Sequence, residues 1–236
     1  MTGDPGKSDV PKLVVFDLDG TLIDAFADIA AAANHIRAEA GLPPLPVDEV
    51  KRHVGHGARR LVAGVLGTAD GDAIERAHDS LVAFYAEHPH DKATWYAGAL
   101  ETVSVLKAAG TKLAVSTNKP HAVAVKVIEA MGAAASFDTV LGEGRFAAKP
   151  DPASLLWLMA EHGATAGTTV MVGDSVVDVA YAKAAGVKVI GLGHGQCTAE
   201  ELRIAGADLV LEGFDGLFNA IGAMRAAGNG GMTPGI

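Results

Sequence analysis

Short, unbroken apolar runs and longer mixed stretches alternate along this chain. Leu13 to Phe16 is apolar at every position, the pattern of a parallel strand covered on both faces rather than of a half-exposed one. An alanine-rich helix is predicted over 24–40, stopped by Gly41 and the break Pro43-Pro44-Leu45-Pro46. Shorter helices are predicted over 47–53 and 58–66, on either side of Gly55-His56-Gly57, and a longer one over 72–88. No convincing strand occurs between 22 and 92. After Tyr96 the pattern changes. Helices are expected over 98–109, 120–131, 152–162, 176–185, 199–205 and 214–227, with strands over 112–116, 137–141, 169–172, 187–192 and 209–211.

Strands alternating with helices imply an α/β protein with a Rossmann-like, doubly wound parallel sheet. The long strandless stretch is too large for a simple crossover and reads as an inserted helical subdomain. The expected organisation is a Rossmann-like core of 1–21 and 93–227, a helical insert of 22–92, and a Gly-rich flexible tail of 228–236. Residues 1–11 read as a loose lead.

With 236 residues and 49% of them hydrophobic, the chain can build one large domain, or a core with a smaller partner. A formal charge of −9 argues against a nucleic-acid surface. It leaves room for a small anionic substrate, because a metal and a few local cations can reverse the field inside one cleft. Cys197 is the single cysteine, so a disulfide framework is excluded and a thiolate metal site is not expected. The first ten residues hold no apolar signal core, and no run approaches membrane-spanning length. A cytoplasmic protein without membrane or nucleic-acid partners is expected.

Four stretches carry candidate chemistry. In Val14-Val15-Phe16-Asp17-Leu18-Asp19-Gly20-Thr21, two carboxylates stand at the C-terminal end of a strand, where open α/β sheets place their ligands. At i and i+2 they point the same way, so their repulsion calls for a cation or a shared proton. The plain alternative is a strand ending in an Asp-Gly turn. In Val115-Ser116-Thr117-Asn118-Lys119-Pro120, a hydroxyl and the free N–H groups of the next helix would make an anion site. The alternative is a helix cap by Thr117 or Asn118. Ala148-Lys149-Pro150-Asp151-Pro152 fixes one lysine between prolines, as a charge clamp or as a solvated loop lysine. In Val172-Gly173-Asp174-Ser175-Val176-Val177-Asp178, Asp174 leaves a strand and Asp178 follows one helical turn later. Asp174 as a helix N-cap is the alternative there. Acids at two strand ends suit a hard cation, and Mg²⁺ prefers one or two carboxylates with waters and phosphate oxygens. No His/Cys cluster competes for a softer metal.

As an ordered set, these stretches resemble the haloacid dehalogenase-like superfamily of phosphohydrolases, over residues 12–215. The resemblance implies that the insert is a helical cap. Within the superfamily the chain is most similar to phosphoglycolate phosphatases, through Val54-Gly55-His56-Gly57-Ala58-Arg59-Arg60-Leu61 and Ser116-Thr117-Asn118-Lys119-Pro120. It departs from them at Tyr96-Ala97-Gly98, where such proteins commonly read Pro-Gly. The implied roles follow. Asp17 is the nucleophile that forms an aspartyl-phosphate, and Asp19 the general acid and base. Asp17, the main-chain carbonyl of Asp19, and Asp174 hold Mg²⁺. Thr117, Asn118 and Lys149 bind phosphate, and Asp178 supports Lys149 or a metal-bound water. His56, Arg59 and Arg60 are candidates for a substrate carboxylate, or else form a solvated basic face. The expected activity is Mg²⁺-dependent hydrolysis of a small phosphorylated metabolite, 2-phosphoglycolate first, by a monomer or homodimer. The rivals are a sugar-phosphate phosphatase or phosphomutase, a carbon-attacking dehalogenase that would need no second acid, and a catalytically dead phosphate-binding module.

Overall fold

The computed structural model describes residues 10–228. In chain order it runs β1 (Leu13–Phe16), β2 (Ile23–Asp24), α1 (Phe26–Glu39), α2 (Val47–Lys51), α3 (Ala58–Leu66), α4 (Gly71–Glu87) and β3 (Thr94–Trp95). There follow α5 (Ala99–Ala108), β4 (Lys112–Pro120), α6 (His121–Ala130), β5 (Thr139–Glu143), α7 (Ala153–Glu161), β6 (Thr169–Gly173) and α8 (Val176–Ala184). The chain closes with β7 (Lys188–Leu192), α9 (Ala199–Ala205), β8 (Leu209–Leu211) and α10 (Leu217–Gly228). One-turn 3₁₀ helices precede β5 and β6.

Six strands form one sheet in the order β5-β4-β1-β6-β7-β8, and every pairing is parallel. β1 lies at its centre, which is why all four of its residues are fully buried. Successive side chains of a strand point to opposite faces. Val14 and Phe16 therefore pack with Ala33, Leu106, Val127 and Ile221 from α1, α5, α6 and α10. Leu13 and Val15 pack on the other side with Leu155, Tyr181 and Leu202 from α7, α8 and α9. The sheet is doubly wound, as the pattern predicts.

Helices α1 to α4 follow β1, again as predicted. Two features differ. First, β2 and β3 form a separate antiparallel pair, Ile23 with Trp95 and Asp24 with Thr94, where the chain enters and leaves the helical insert. Two residues are too few to show a period. Second, β4 continues to Pro120, so the stretch 116–120 lies in a strand rather than at a helix start. Its polar residues read as a cap, yet Ser116, Thr117, Asn118 and Lys119 are all buried. Next to β3, the departing residue Tyr96 stacks on His194 with ring centroids 3.9 Å apart, and His194 stacks in turn on Phe214. The predicted tail begins at Gly228, the last residue of α10. The rest of it, and residues 1–9 of the predicted lead, lie outside the described residues.

Candidate active site

The C-terminal ends of β1, β4 and β6, with the loop before α7, bring the predicted acids and lysine together. Asp17 extends β1 by donating its N–H to Val172 O at 2.9 Å. The Lys149 ammonium lies 2.9 Å from Asp17 Oδ1 and donates to Asp178 Oδ1 at 2.7 Å. Asp178 is fully buried, and its other oxygen accepts from Ser175 N–H at 3.2 Å and Ser175 Oγ at 2.6 Å. The N-cap of α8 is therefore Ser175, in a reciprocal capping box with Asp178. Asp174 is not the cap. Its carboxylate accepts from the Thr21 hydroxyl and from Gln196 N–H, the latter at 2.6 Å. Gly20, at φ +89°, lies against this carboxylate where a Cβ would collide with Asp174 Oδ2.

Carboxylate oxygens of Asp17, Asp174 and Asp178 all lie within 4.8 Å of one another. Among the described residues, only Lys149 forms ion pairs with these acids. Burial pushes the Asp17 carboxyl up from the ordinary 3.8 to about 6, against the pull of Lys149 and with a push from Asp178. Burial, then repulsion from Asp17 and Asp178, holds Asp174 well above the usual carboxylate range. Burial disfavours the Lys149 charge, but the adjoining Asp17 and Asp178 outweigh it and hold the ammonium above its ordinary value. A crowded, buried, all-oxygen set of three carboxylates that one lysine cannot neutralise fits a hard divalent cation.

The clamp also bears on stability. Replacing Lys149 by methionine leaves Asp17 and Asp178 buried without their counter-charge. Such a deletion costs roughly 3–5 kcal/mol. Denaturant unfolding in chelator is expected to show that loss, with the transition moved to lower denaturant; an unchanged transition would contradict the clamp.

Asp19 stands apart from the three acids. Both of its oxygens are 3.0 Å from the Lys119 ammonium. That ammonium in turn lies over the Tyr85 ring of α4, 3.9 Å from its centroid. Thr117 and Asn118 line the same cavity as Asp17 and Asp19. Thr117 Oγ1 accepts from Lys119 N–H at 3.2 Å. The Asn118 amide donates to Gly55 O and Lys149 O at 2.9 and 3.0 Å, and its oxygen accepts from Lys149 N–H at 2.7 Å. These bonds occupy both side-chain N–H donors, so the Asn118 amide ties the loop before α3 to the lysine loop, and the Asn118 backbone N–H is the group left to meet a phosphate.

The structure does not bring the side chains of His56, Arg59 and Arg60 to this cavity. All three are exposed. Arg59 forms a two-pronged pair with Glu75, at 2.7 and 2.9 Å. Their neighbours Gly55, Gly57 and Ala58 line the cavity instead. Three residues at the site had no role assigned from sequence. Lys119 stands inside the quoted second stretch. Tyr85 follows Leu81 by one turn, so it reads as core. Gln196 comes from the loop after β7, which carries no motif. Asp24 lies in β2 and accepts from Phe26 N–H at 3.3 Å.

Fold and site together define an α/β protein with a carboxylate-lined cation centre at its strand ends. The pattern of the haloacid dehalogenase-like hydrolase family matches residues 14–192. A phosphoglycolate phosphatase of Rhodospirillum rubrum is 39% identical over 237 residues, covering 96% of this chain and 98% of that protein. One of Chromobacterium violaceum is 37% identical over 214 residues, covering 88% and 95%. The crystal structure of a "predicted phosphoglycolate phosphatase" of Haemophilus somnus superposes with a TM-score of 0.84 at 28% identity, covering 91% of this chain and 99% of that one. The chain belongs to the haloacid dehalogenase-like hydrolase family. It is a phosphoric monoester hydrolase. No helix among the described residues is long and apolar enough to cross a membrane.

Proposed function

We propose that this chain is a Mg²⁺-dependent phosphatase that hydrolyses 2-phosphoglycolate through an aspartyl-phosphate on Asp17. The observation that carries the reading is the placement of Asp17. Its carboxylate is buried between the Lys149 ammonium and two further acids, in one cavity with Asp19. The substrate comes from the relatives, which are named for phosphoglycolate. The cavity is small, about 70 Å³, which suits a small ester.

In this reading an Asp17 oxygen attacks phosphorus as the bond to the leaving oxygen breaks. Asp19 gives its proton to that oxygen. Asp19 then takes a proton from water, whose oxygen attacks the phosphorus, releasing phosphate and restoring Asp17. Lys149, held by Asp178, and Thr117 meet the phosphoryl oxygens. Asp17, Asp174 and the Asp19 main-chain carbonyl would hold Mg²⁺, which supplies Lewis-acid charge against the phosphoryl oxygens when bound. Residues 22–92 act as a cap over a core of 1–21 and 93–227, with β2 and β3 at the junction.

A screen of phosphorylated metabolites tests the substrate: 2-phosphoglycolate is expected to give the highest kcat/KM, with free phosphate as product. A higher value for a sugar phosphate, or an isomerised ester as product, would replace this reading with that of a sugar-phosphate phosphatase or a mutase. Asp19→Asn is expected to slow turnover by roughly 10²–10⁴-fold while thermal stabilisation by Mg²⁺ persists, because the main chain supplies its ligand. Loss of that stabilisation would mean that the Asp19 carboxylate itself holds the cation.

A further inference from the structure

Apolar groups wall much of the cavity, among them Ile29, Leu61 and Leu81 from the helical insert and Val123 from α6. Tyr85 interrupts this wall. It is 4% exposed, the Lys119 ammonium lies beside its hydroxyl, and the hydroxyl's own proton has no acceptor among the described residues. Burying a hydroxyl whose proton has no acceptor destabilises the fold. Packing does not call for it, since a phenylalanine would fill the same space on α4. The hydroxyl therefore answers to something that enters the cavity.

What enters is set by its neighbours. The Lys119 ammonium lies against the Tyr85 ring, between it and Asp19, and a lysine carries three donors. The N-terminus of α3 reaches the same cavity through Gly57 and Ala58. Gly57 is its N-cap, at φ +95°, with no side-chain cap. The first N–H groups of a helix have no intrahelical acceptor and carry partial positive charge. Burial pushes the Tyr85 phenol up to about 12, so it keeps its proton and donates. A phenol, an ammonium and a helix N-terminus offer donors only, and together they suit an anion. In the reading above the phosphoryl group meets Asp17, which lines the same cavity, and Lys149 beside it.

We propose that the Tyr85 hydroxyl, with Lys119 and the N-terminus of α3, forms a subsite for a carboxylate on the leaving group, and that Tyr85 is a specificity-determining residue. This rests on the phosphatase reading above. It moves recognition of the leaving group away from the exposed His56, Arg59 and Arg60 to the joint between α4 and β4.

The test compares wild type with Tyr85→Phe on 2-phosphoglycolate, 2-phospholactate and ethyl phosphate, in Mg²⁺. The variant is expected to lose about 10- to 100-fold in kcat/KM on the carboxylate-bearing esters, and less than about threefold on ethyl phosphate, which offers no such group. Equal losses on all three esters, or no loss on any, overturn the subsite. If wild type prefers 2-phospholactate and the variant erases the preference over ethyl phosphate, the 2-phosphoglycolate reading fails and the subsite stands. If wild type prefers neither carboxylate ester to ethyl phosphate, both fail. Product inhibition is a second measurement that needs no variant. Glycolate is expected to inhibit wild type far better than ethanol does, and equal inhibition overturns the subsite.

Discussion

Asp17→Asn is expected to lower turnover of any phosphate ester by at least about 10⁴-fold, on the scale seen when a nucleophile is removed, while leaving the protein folded. The amide keeps the shape of the carboxylate at the end of β1. It lacks the charge and the nucleophilic oxygen. With a radiolabelled phosphate ester and rapid acid quench, wild type should carry label on protein and the variant none. The stability prediction runs the other way. Burial raises the folded Asp17 carboxyl to about 6, so its charged form is disfavoured in the folded state above that pH. A neutral amide escapes the penalty. In chelator at pH 7.5 the variant should therefore melt no lower than wild type, although Lys149 loses one of its two partners. Turnover within tenfold of wild type, or stable label on the asparagine protein, would sink the covalent scheme.

Contrasting activity and stability effects are common where a site holds like charges together, and the same tension made this site legible. Asp17, Lys149, Asp174 and Asp178 are charged residues set beside apolar runs or rigid turns, and the fold brings all four together. β1 was readable for the same reason: a strand covered on both faces has no polar position to blur it. α3 and α9 begin and end where predicted, and Gly67 and Gly206 close them in the left-handed conformation. β4 was cut short because its last residues are polar, although the site buries them. Arg59 and Arg60 carry two readings in the sequence, substrate cations in a family-like segment or a solvated basic face, and the packing of α3 favours the second. The buried face of α3 is Ala58, Leu61, Val62 and Val65, a helical spacing already visible in the sequence that turns both arginines outward. Tyr85 and Lys119 could not be paired from sequence. Their contact crosses from the insert to the sheet, and neither pattern points to the other.

Removal of the divalent cation is expected to stop turnover, by at least roughly 10³-fold, since Lewis-acid stabilisation of this kind is worth several kcal/mol. Its pH dependence follows from the same acids. Asp17, raised by burial to about 6, and Asp174, raised further, hold protons in the metal-free folded state that the unfolded chain has released. An acid whose folded value lies above its unfolded one contributes stability that is fully present below the unfolded value, here 3.8 for Asp17, and lost as pH rises through the folded one. The metal-free protein therefore loses stability between about pH 4 and 6 from Asp17, and at higher pH from Asp174. Mg²⁺ binds the deprotonated carboxylates and must displace those protons. The rise in melting temperature on adding Mg²⁺ should be large at pH 7.5 and shrink as the pH falls through about 6. Taking the difference between Mg²⁺ and chelator at each pH cancels carboxylates elsewhere in the chain. Turnover at fixed Mg²⁺ should fall over the same interval, and raising Mg²⁺ should recover part of it. A melting shift that stays constant from pH 5 to 8, or undiminished turnover in chelator, would show that Asp17 and Asp174 do not hold the cation.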